Sequence, residues 1–288
     1  MWIKRDDLSG ASLGGNKVRA LEFLLGSVRR GDTVLTIGGE GSTHVLATAY
    51  YAARLGADVH AIRWRHEMNA MAHTVAARAR ELCGVVTTTR TFVGAMVRVG
   101  WQRATERRTH WIPMGGSSPL GTLGHVNAAL ELTRQIADGL LPQPRHVVVP
   151  LGTGGTAAGL ALGFAIAGLP ITVVAARIGP RIGANRTRVL RLARATAAFI
   201  RRASGQSVPD LGPDAVRVVH DVYGGAYGRA LPAGDDAARL LEVWRGIALD
   251  ATYSAKAFAA AMALTRSTEV PVLFWLTFDG RALRGPAE

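Results

Sequence analysis

The chain has 288 residues, a hydrophobic content of 48% and a formal net charge of +13. That length supports one large or two ordinary domains with a substantial core, and the absence of any run of about 20 apolar residues excludes a helical membrane span. The single cysteine, Cys83, excludes an internal disulfide and reads as a small core residue in a cytoplasmic protein.

In chain order, short apolar runs rich in β-branched residues alternate with longer segments of helical period. The predicted strands are 33–38, 57–64, 85–89, 110–115, 146–152, 171–177, 216–220 and 270–277. Helices are predicted over 16–29, 43–55, 67–82, 92–106, 121–139, 155–168, 184–203, 234–249 and 253–267. Such alternation implies α/β architecture, with parallel sheets covered by helices on both faces. The segment "DGLLPQPRH", with two prolines, marks a connection between units of the chain.

The positive charge is spread along the chain. Its densest stretch, 181–202, places Arg188 and Arg191 opposite Val189, Leu190, Ala193 and Ala197, an amphipathic helix with a solvated basic face. No aromatic residues interleave with these arginines as base stacking requires, so a nucleic-acid partner is not expected. His66 and His73 are placed on one helix face, but no histidines show metal-ligand spacing, so no metal site is expected.

Ligands of parallel α/β sheets bind beyond the carboxyl ends of the strands. Three turns there carry chemistry. Gly152, Thr153, Gly154, Gly155 and Thr156 follow a strand and open an apolar helix, so free backbone N–H groups and two hydroxyls face one place, which suits a phosphate. The same turn fits the loose pattern G-x-G-x-x-A of nicotinamide dinucleotide enzymes, although the next strand ends in Arg177 where an acidic residue is needed for the ribose. Ser42 is placed as the N-cap of a helix beginning at Thr43. Lysine occurs only at Lys4, Lys17 and Lys256, and Lys17 directly follows "GGN" at a helix start. A buried lysine can lose its proton and act as a nucleophile, which arginine cannot.

A lysine, a phosphate turn and a hydroxyl at a helix start together suggest pyridoxal phosphate. The segments "WIKRDDLSG…GGNKVRALEFLL", "TVLTIGGEGSTH", "IPMGGSSPLGTLGHVNAALEL", "PLGTGGTAAGL" and "LDATYSAKAF" resemble, in sequence and order, the family of 1-aminocyclopropane-1-carboxylate deaminase and D-cysteine desulfhydrase. The resemblance spans nearly the whole chain. It implies a fold type II pyridoxal phosphate-dependent enzyme of two three-layer α/β/α domains with mostly parallel sheets: residues 1–19 with 131–288 as the large cofactor-binding domain, and 20–130 as the small one. It also implies a homodimer acting on a small amino acid, with no membrane or nucleic-acid partner.

Residue by residue, Lys17 matches the cofactor-linking lysine and Asn16 its neighbour. Ser42 matches a serine at the substrate carboxylate or a base, and Tyr227 and Tyr253 match two active-site tyrosines. Gly152 to Thr156 match the phosphate loop, and Thr277 matches the threonine near the ring nitrogen. The chain departs from the family at Thr43, where asparagine is usual, at Ala20, where a second lysine is common, at Phe278 and Asp279, where glycines are usual, and at Ser254, where ring-opening deaminases have glutamate. These departures point to a lyase releasing ammonia and a keto acid in the manner of D-cysteine desulfhydrase. The alternatives are a diverged cofactor-binding homologue with altered or lost catalysis and an NAD(P)-dependent oxidoreductase.

Overall fold

The structure is a computed structural model and describes residues 1–11, 13–106 and 108–280. The elements run β1 (Trp2–Arg5), a 3-10 turn (Asp6–Leu8), α1 (Asn16–Leu24), β2 (Thr33–Gly39), α2 (Thr43–Arg54), β3 (Asp58–Trp64), α3 (Ala70–Leu82), β4 (Val85–Thr89), α4 (Phe92–Thr105) and β5 (Thr109–Ile112). After a second 3-10 turn (Met114–Gly116) come α5 (Pro119–Ala137), β6 (His146–Leu151), α6 (Gly155–Ile166), β7 (Thr172–Arg177), α7 (Arg186–Ser204), β8 (Val216–Val219), α8 (Pro232–Arg245), α9 (Ser254–Ser267) and β9 (Val272–Leu276).

Two sheets form, both parallel: β1-β9-β6-β7-β8 and β4-β3-β2-β5. The expected α/β class with helix-covered parallel sheets is therefore borne out. The interior strands read as unbroken apolar runs because both faces are buried: β9, "VLFWL", is buried at every position. Side chains alternate across the larger sheet. Val147, Val149, Val173 and Ala175 join the core under α5, α6 and α7, while Val148, Val174 and Ala176 join the core under α8 and α9.

β1 has no counterpart among the predicted strands. Its four residues, "WIKR", show no apolar run, and only pairing with β9 makes them a strand. Most other differences lie at helix ends. α1 stops at Leu24 rather than 29, and α3 begins at Ala70 rather than 67 because the Asn69 side chain caps it, accepting from the Ala72 N–H at 2.9 Å. His66 thus lies in the loop before α3, and the expected shared face with His73 is not formed. α7 has the predicted amphipathic pattern, with Val189, Ala193 and Ala197 buried and Arg188 and Arg191 exposed.

α6 is buried on nearly all sides, and Gly155, Gly159 and Gly163 recur along it at four-residue spacing. A Cβ on Gly159 would overlap the Cβ of His125, and one on Gly163 would stand 2.5 Å from the Cβ of Ala129. These glycines let α5 and α6 approach closely. That contact fixes the start of α6 against the rest of the cleft.

Candidate active site

The segment before Lys17 is tied down at every residue. Tyr51 donates its hydroxyl to the Leu13 carbonyl, and Gly14 N–H donates to the buried carboxylate of Asp279 at 2.8 Å. Gly15 N–H donates to the Asp6 carbonyl at 2.7 Å, and Asn16 N–H donates to the Thr277 carbonyl at 2.9 Å. Gly15 has φ +98°, and a Cβ there would stand 2.7 Å from the Thr277 oxygen. Lys17 therefore emerges in the first turn of α1, beside the end of β9, on a rigid backbone.

Burial pulls the Lys17 amine down from its ordinary value to about 8, against the opposing attraction of Asp250. Its amine makes no hydrogen bond to a described residue. Two imidazoles nearby are held neutral. Burial, with the Lys17 charge as a second cause, lowers His44 and His125 each to about 3.

The glycine turn lies where β6 ends. Gly154, φ +95°, is the N-cap of α6 and supplies no side chain, so the first N–H groups of the helix have no capping acceptor. Thr153 shares a hydrogen bond with Ser117 at 2.6 Å, and Asn16 donates its amide to Thr156 at 2.8 Å, leaving the Thr156 hydroxyl free to donate. A Cβ on Gly155 would stand 2.8 Å from the Ser117 hydroxyl, and one on Gly115 would overlap the Thr153 hydroxyl. Glycine at both positions lets the 114–118 turn close beside 152–156. Ser117 was not anticipated, although "GGSS" ahead of a helix is its sequence signal.

On the other side, Ser42 caps α2 as expected, accepting from Val45 N–H at 3.4 Å, and Thr43 is the first residue of that helix. The Tyr227 and Tyr253 hydroxyls are hydrogen-bonded to each other, with ring centres 5.9 Å apart. Burial raises Tyr227 to about 12 and Tyr253 well above its ordinary value, so both stay protonated and one proton of the pair is left to donate outward. Asp250, buried beneath them, accepts from the N–H groups of Tyr253 and Ser254 at 2.7 and 2.9 Å.

Two further residues close the site without having been anticipated. Asn69 donates to Gly228 O at 3.3 Å and to the Thr252 hydroxyl at 3.2 Å, joining α3 to both tyrosine loops. His66 places its ring nitrogens 2.8 Å from Glu40 O and 2.7 Å from Glu67 O, with its ring edge on Tyr227. An isolated Asn or His carries no signal of such a role, because its partners lie up to 183 residues away.

The donor set fits pyridoxal phosphate. A dianion would meet backbone N–H groups at a helix start and hydroxyls in the glycine turn, with the Arg188 guanidinium donating to Thr153 O at 3.3 Å beside it. An aldehyde would meet a buried amine that has already lost much of its preference for the proton. Two parallel α/β sheets whose strand ends converge on such a lysine and such a cradle define a fold type II pyridoxal phosphate-dependent enzyme. The chain belongs to the pyridoxal-phosphate dependent enzyme family, whose sequence pattern matches residues 1–277.

Among its relatives are the nocardicin C-9' epimerase of Nocardia uniformis subsp. tsuyamanensis, 36% identical over 97% of this chain and 86% of that protein, and the putative 1-aminocyclopropane-1-carboxylate deaminase of Pyrococcus furiosus, 31% identical over 94% and 81%. The D-cysteine desulfhydrase of Salmonella choleraesuis is 32% identical over 90% of this chain and 79% of that one. The crystal structure of a homologue of 1-aminocyclopropane-1-carboxylate deaminase superposes with a TM-score of 0.80 at 28% identity, covering 97% of this chain and 84% of the other. The expected family and cofactor are thereby borne out, and the nicotinamide reading of the glycine turn falls.

Proposed function

We propose that the protein is a pyridoxal phosphate-dependent lyase that releases ammonia and a keto acid from a small amino acid, in the manner of a D-cysteine desulfhydrase. The observation that carries this reading is Lys17: a buried amine without a hydrogen-bond partner among the described residues, lowered to about 8, on a backbone pinned by Asp279, Asp6 and Thr277.

When bound, pyridoxal phosphate withdraws electrons from the substrate α-carbon and so acidifies its proton. Gly152, Thr153, Gly154, Gly155 and Thr156 would hold the phosphate, with Asn16 orienting Thr156, while Thr277 would serve the ring nitrogen and Thr43 the ring. Lys17 would hold the aldehyde of the cofactor and, with a lowered pKa that suits the role near neutrality, would accept the substrate α-proton on Nζ. Ser42 receives the substrate carboxylate at the start of α2, where the helix dipole favours an anion. Tyr227 and Tyr253, kept protonated by burial, would orient the substrate, and the hydroxyl of the pair that accepts from the other would donate toward the leaving group. Ser254, in place of glutamate, favours loss of a β-substituent over ring opening.

The 36% identity to an epimerase supports a second reading, in which the α-proton is removed and returned on the opposite face. Both readings share Lys17 and the glycine turn. We also propose a homodimeric cytoplasmic enzyme divided into residues 1–19 with 131–288 and residues 20–130. The division is supported by the sheet membership of β6 to β9 against β2 to β5, and 281–288 lie outside the described residues.

The test is a panel of D- and L-amino acids in heavy water, assayed for keto acid, ammonia, deuterium at the α-carbon and loss of optical activity. Keto acid from a small amino acid is the expected result. Deuterium incorporation with inversion and no keto acid would replace the lyase reading by the epimerase one. Borohydride should fix the cofactor to the Lys17 peptide in the parent, and Lys17→Ala should abolish that adduct.

A further inference from the structure

Arg177, the last residue of β7, is only 7% exposed. Its Nε donates to Nδ1 of His220 at 2.9 Å, its Nη1 donates to Gly179 O at 2.7 Å, and the guanidinium stacks on the Tyr223 ring at 4.3 Å. None of these partners carries a negative charge. Nη2 makes no hydrogen bond to a described residue, yet it is not sealed from solvent. Three other buried charges have an opposite charge at hand: Asp6 has Arg19, Asp7 has Arg5, and Arg63 faces Glu40 at 3.9 Å.

A guanidinium taken out of water without a counter-charge costs several kcal/mol, and stacking on an aromatic ring offsets only part of that. The surroundings add positive potential rather than relieve it. His220 is lowered first by burial and then by Arg181 and Arg177, with Asp221 opposing, so the imidazole brings no negative charge of its own. Its Nδ1 accepts from Arg177, which puts its proton on Nε2. Arg181 is exposed, and its side chain has no partner among the described residues.

The place is next to the cleft. Arg177 pairs in register with Leu151, the residue before the glycine turn, and Ile178 reaches within 3.7 Å of where a Cβ on Gly152 would lie. The carbonyl of Tyr223 accepts from the buried Lys256 at 3.0 Å, and Tyr227 follows four residues later. A guanidinium fixed through Nε and Nη1 keeps the N–H groups of Nη2 to donate to an oxyanion, a charge-assisted bond.

We propose that the carboxyl ends of β7 and β8 form an oxyanion subsite separate from the cofactor-phosphate turn, with Arg177 Nη2 as its principal donor and Arg181 as a second cation. Its ligand is a phosphate or carboxylate group, either a free anion or the acid group of a bound amino acid.

The experiment uses the holoenzyme, so that the glycine turn is already filled, and titrates inorganic phosphate at constant ionic strength held with sodium chloride. The unfolding midpoint should rise saturably with phosphate, as expected for a ligand bound by the native state alone. Arg181→Gln should raise the half-saturating concentration by roughly tenfold, the effect of one lost charge-assisted hydrogen bond. Arg177→Gln should remove the saturable rise. If Arg177→Gln does not fold, the exposed Arg181→Gln decides alone. Competition between phosphate and glutamate, but not glutamine, identifies the ligand as an amino acid's acid group. Binding of phosphate without that competition identifies it as a free anion. No saturable response above chloride, or an equal response in parent and variants, overturns the subsite.

Discussion

At the scale of the residue, Lys17 shows how burial converts an ordinary side chain into a reactive one. Desolvation lowers its pKa from 10.5 to about 8, while Asp250 pulls the other way. In cofactor-free protein an amine-selective acylating reagent, followed peptide by peptide, should therefore label Lys17 with a pH midpoint of about 8. Asp250→Asn removes the opposing attraction and should move the midpoint lower still; a midpoint at the value of an exposed lysine would remove the case for Lys17 as base. The linkage has a definite sign. Because the folded pKa is depressed, Lys17 costs stability in full below pH 8, and the cost is relieved as pH rises from about 8 through 10.5. Lys17 was legible in the sequence because lysine is so rare among 34 basic residues. Asp279 was legible only as a departure from the family pattern, and its bond to Gly14 appears once the chain end of β9 is brought beside residue 14.

At the scale of the element, α6 carries both the glycine turn and the contact that places it. Gly159→Ala sets a methyl against the His125 Cβ and the Thr122 carbonyl, the latter 2.7 Å from the new atom. Overpacking of this kind costs about 1–3 kcal/mol, and displacing α6 should also loosen the turn. We expect a lower unfolding midpoint together with weaker cofactor retention on dialysis. Gly168→Ala, two residues past the far end of the same helix, meets no atom within 4 Å, although its φ of +69° adds some strain. It should lower the midpoint less and leave retention unchanged. Equal loss of retention in both variants would mean that the α5–α6 contact does not set the turn.

At the scale of the whole molecule, an ionic network joins four elements. Asp6 accepts from Arg19 and from the Trp275 indole at 2.7 Å, Arg19 also donates to Glu131 at 2.9 Å, and Lys4 pairs with Glu131. Strand β1, helices α1 and α5 and strand β9 are held together around Asp6, which is fully buried. Asp6→Asn strips the carboxylate from beneath Arg19 and should lower the free energy of unfolding by roughly 3 kcal/mol, measured by urea titration. Burial works to raise the Glu131 carboxyl, but hydrogen bonds from Arg19 and Lys4 hold it below its ordinary range. Its contribution is thus present above the usual carboxylate pKa and is lost as pH falls through the lowered value. Glu131→Gln should flatten that acid limb of the stability curve.

The sequence by itself determined the alternation of strands and helices, the Ser42 cap, the glycine turn and the choice of Lys17. Each of these depends on local periodicity, on backbone freedom or on the rarity of one residue type, all of which are written in consecutive positions. Only the tertiary structure decided that "WIKR" is a strand, that Asn69 and His66 close the cleft, that Asp279 holds the lysine segment, and that Arg177 is buried without a counter-charge. These depend on partners that lie far along the chain, and neither an edge strand nor a buried charge has a sequence pattern of its own until the fold supplies its neighbour.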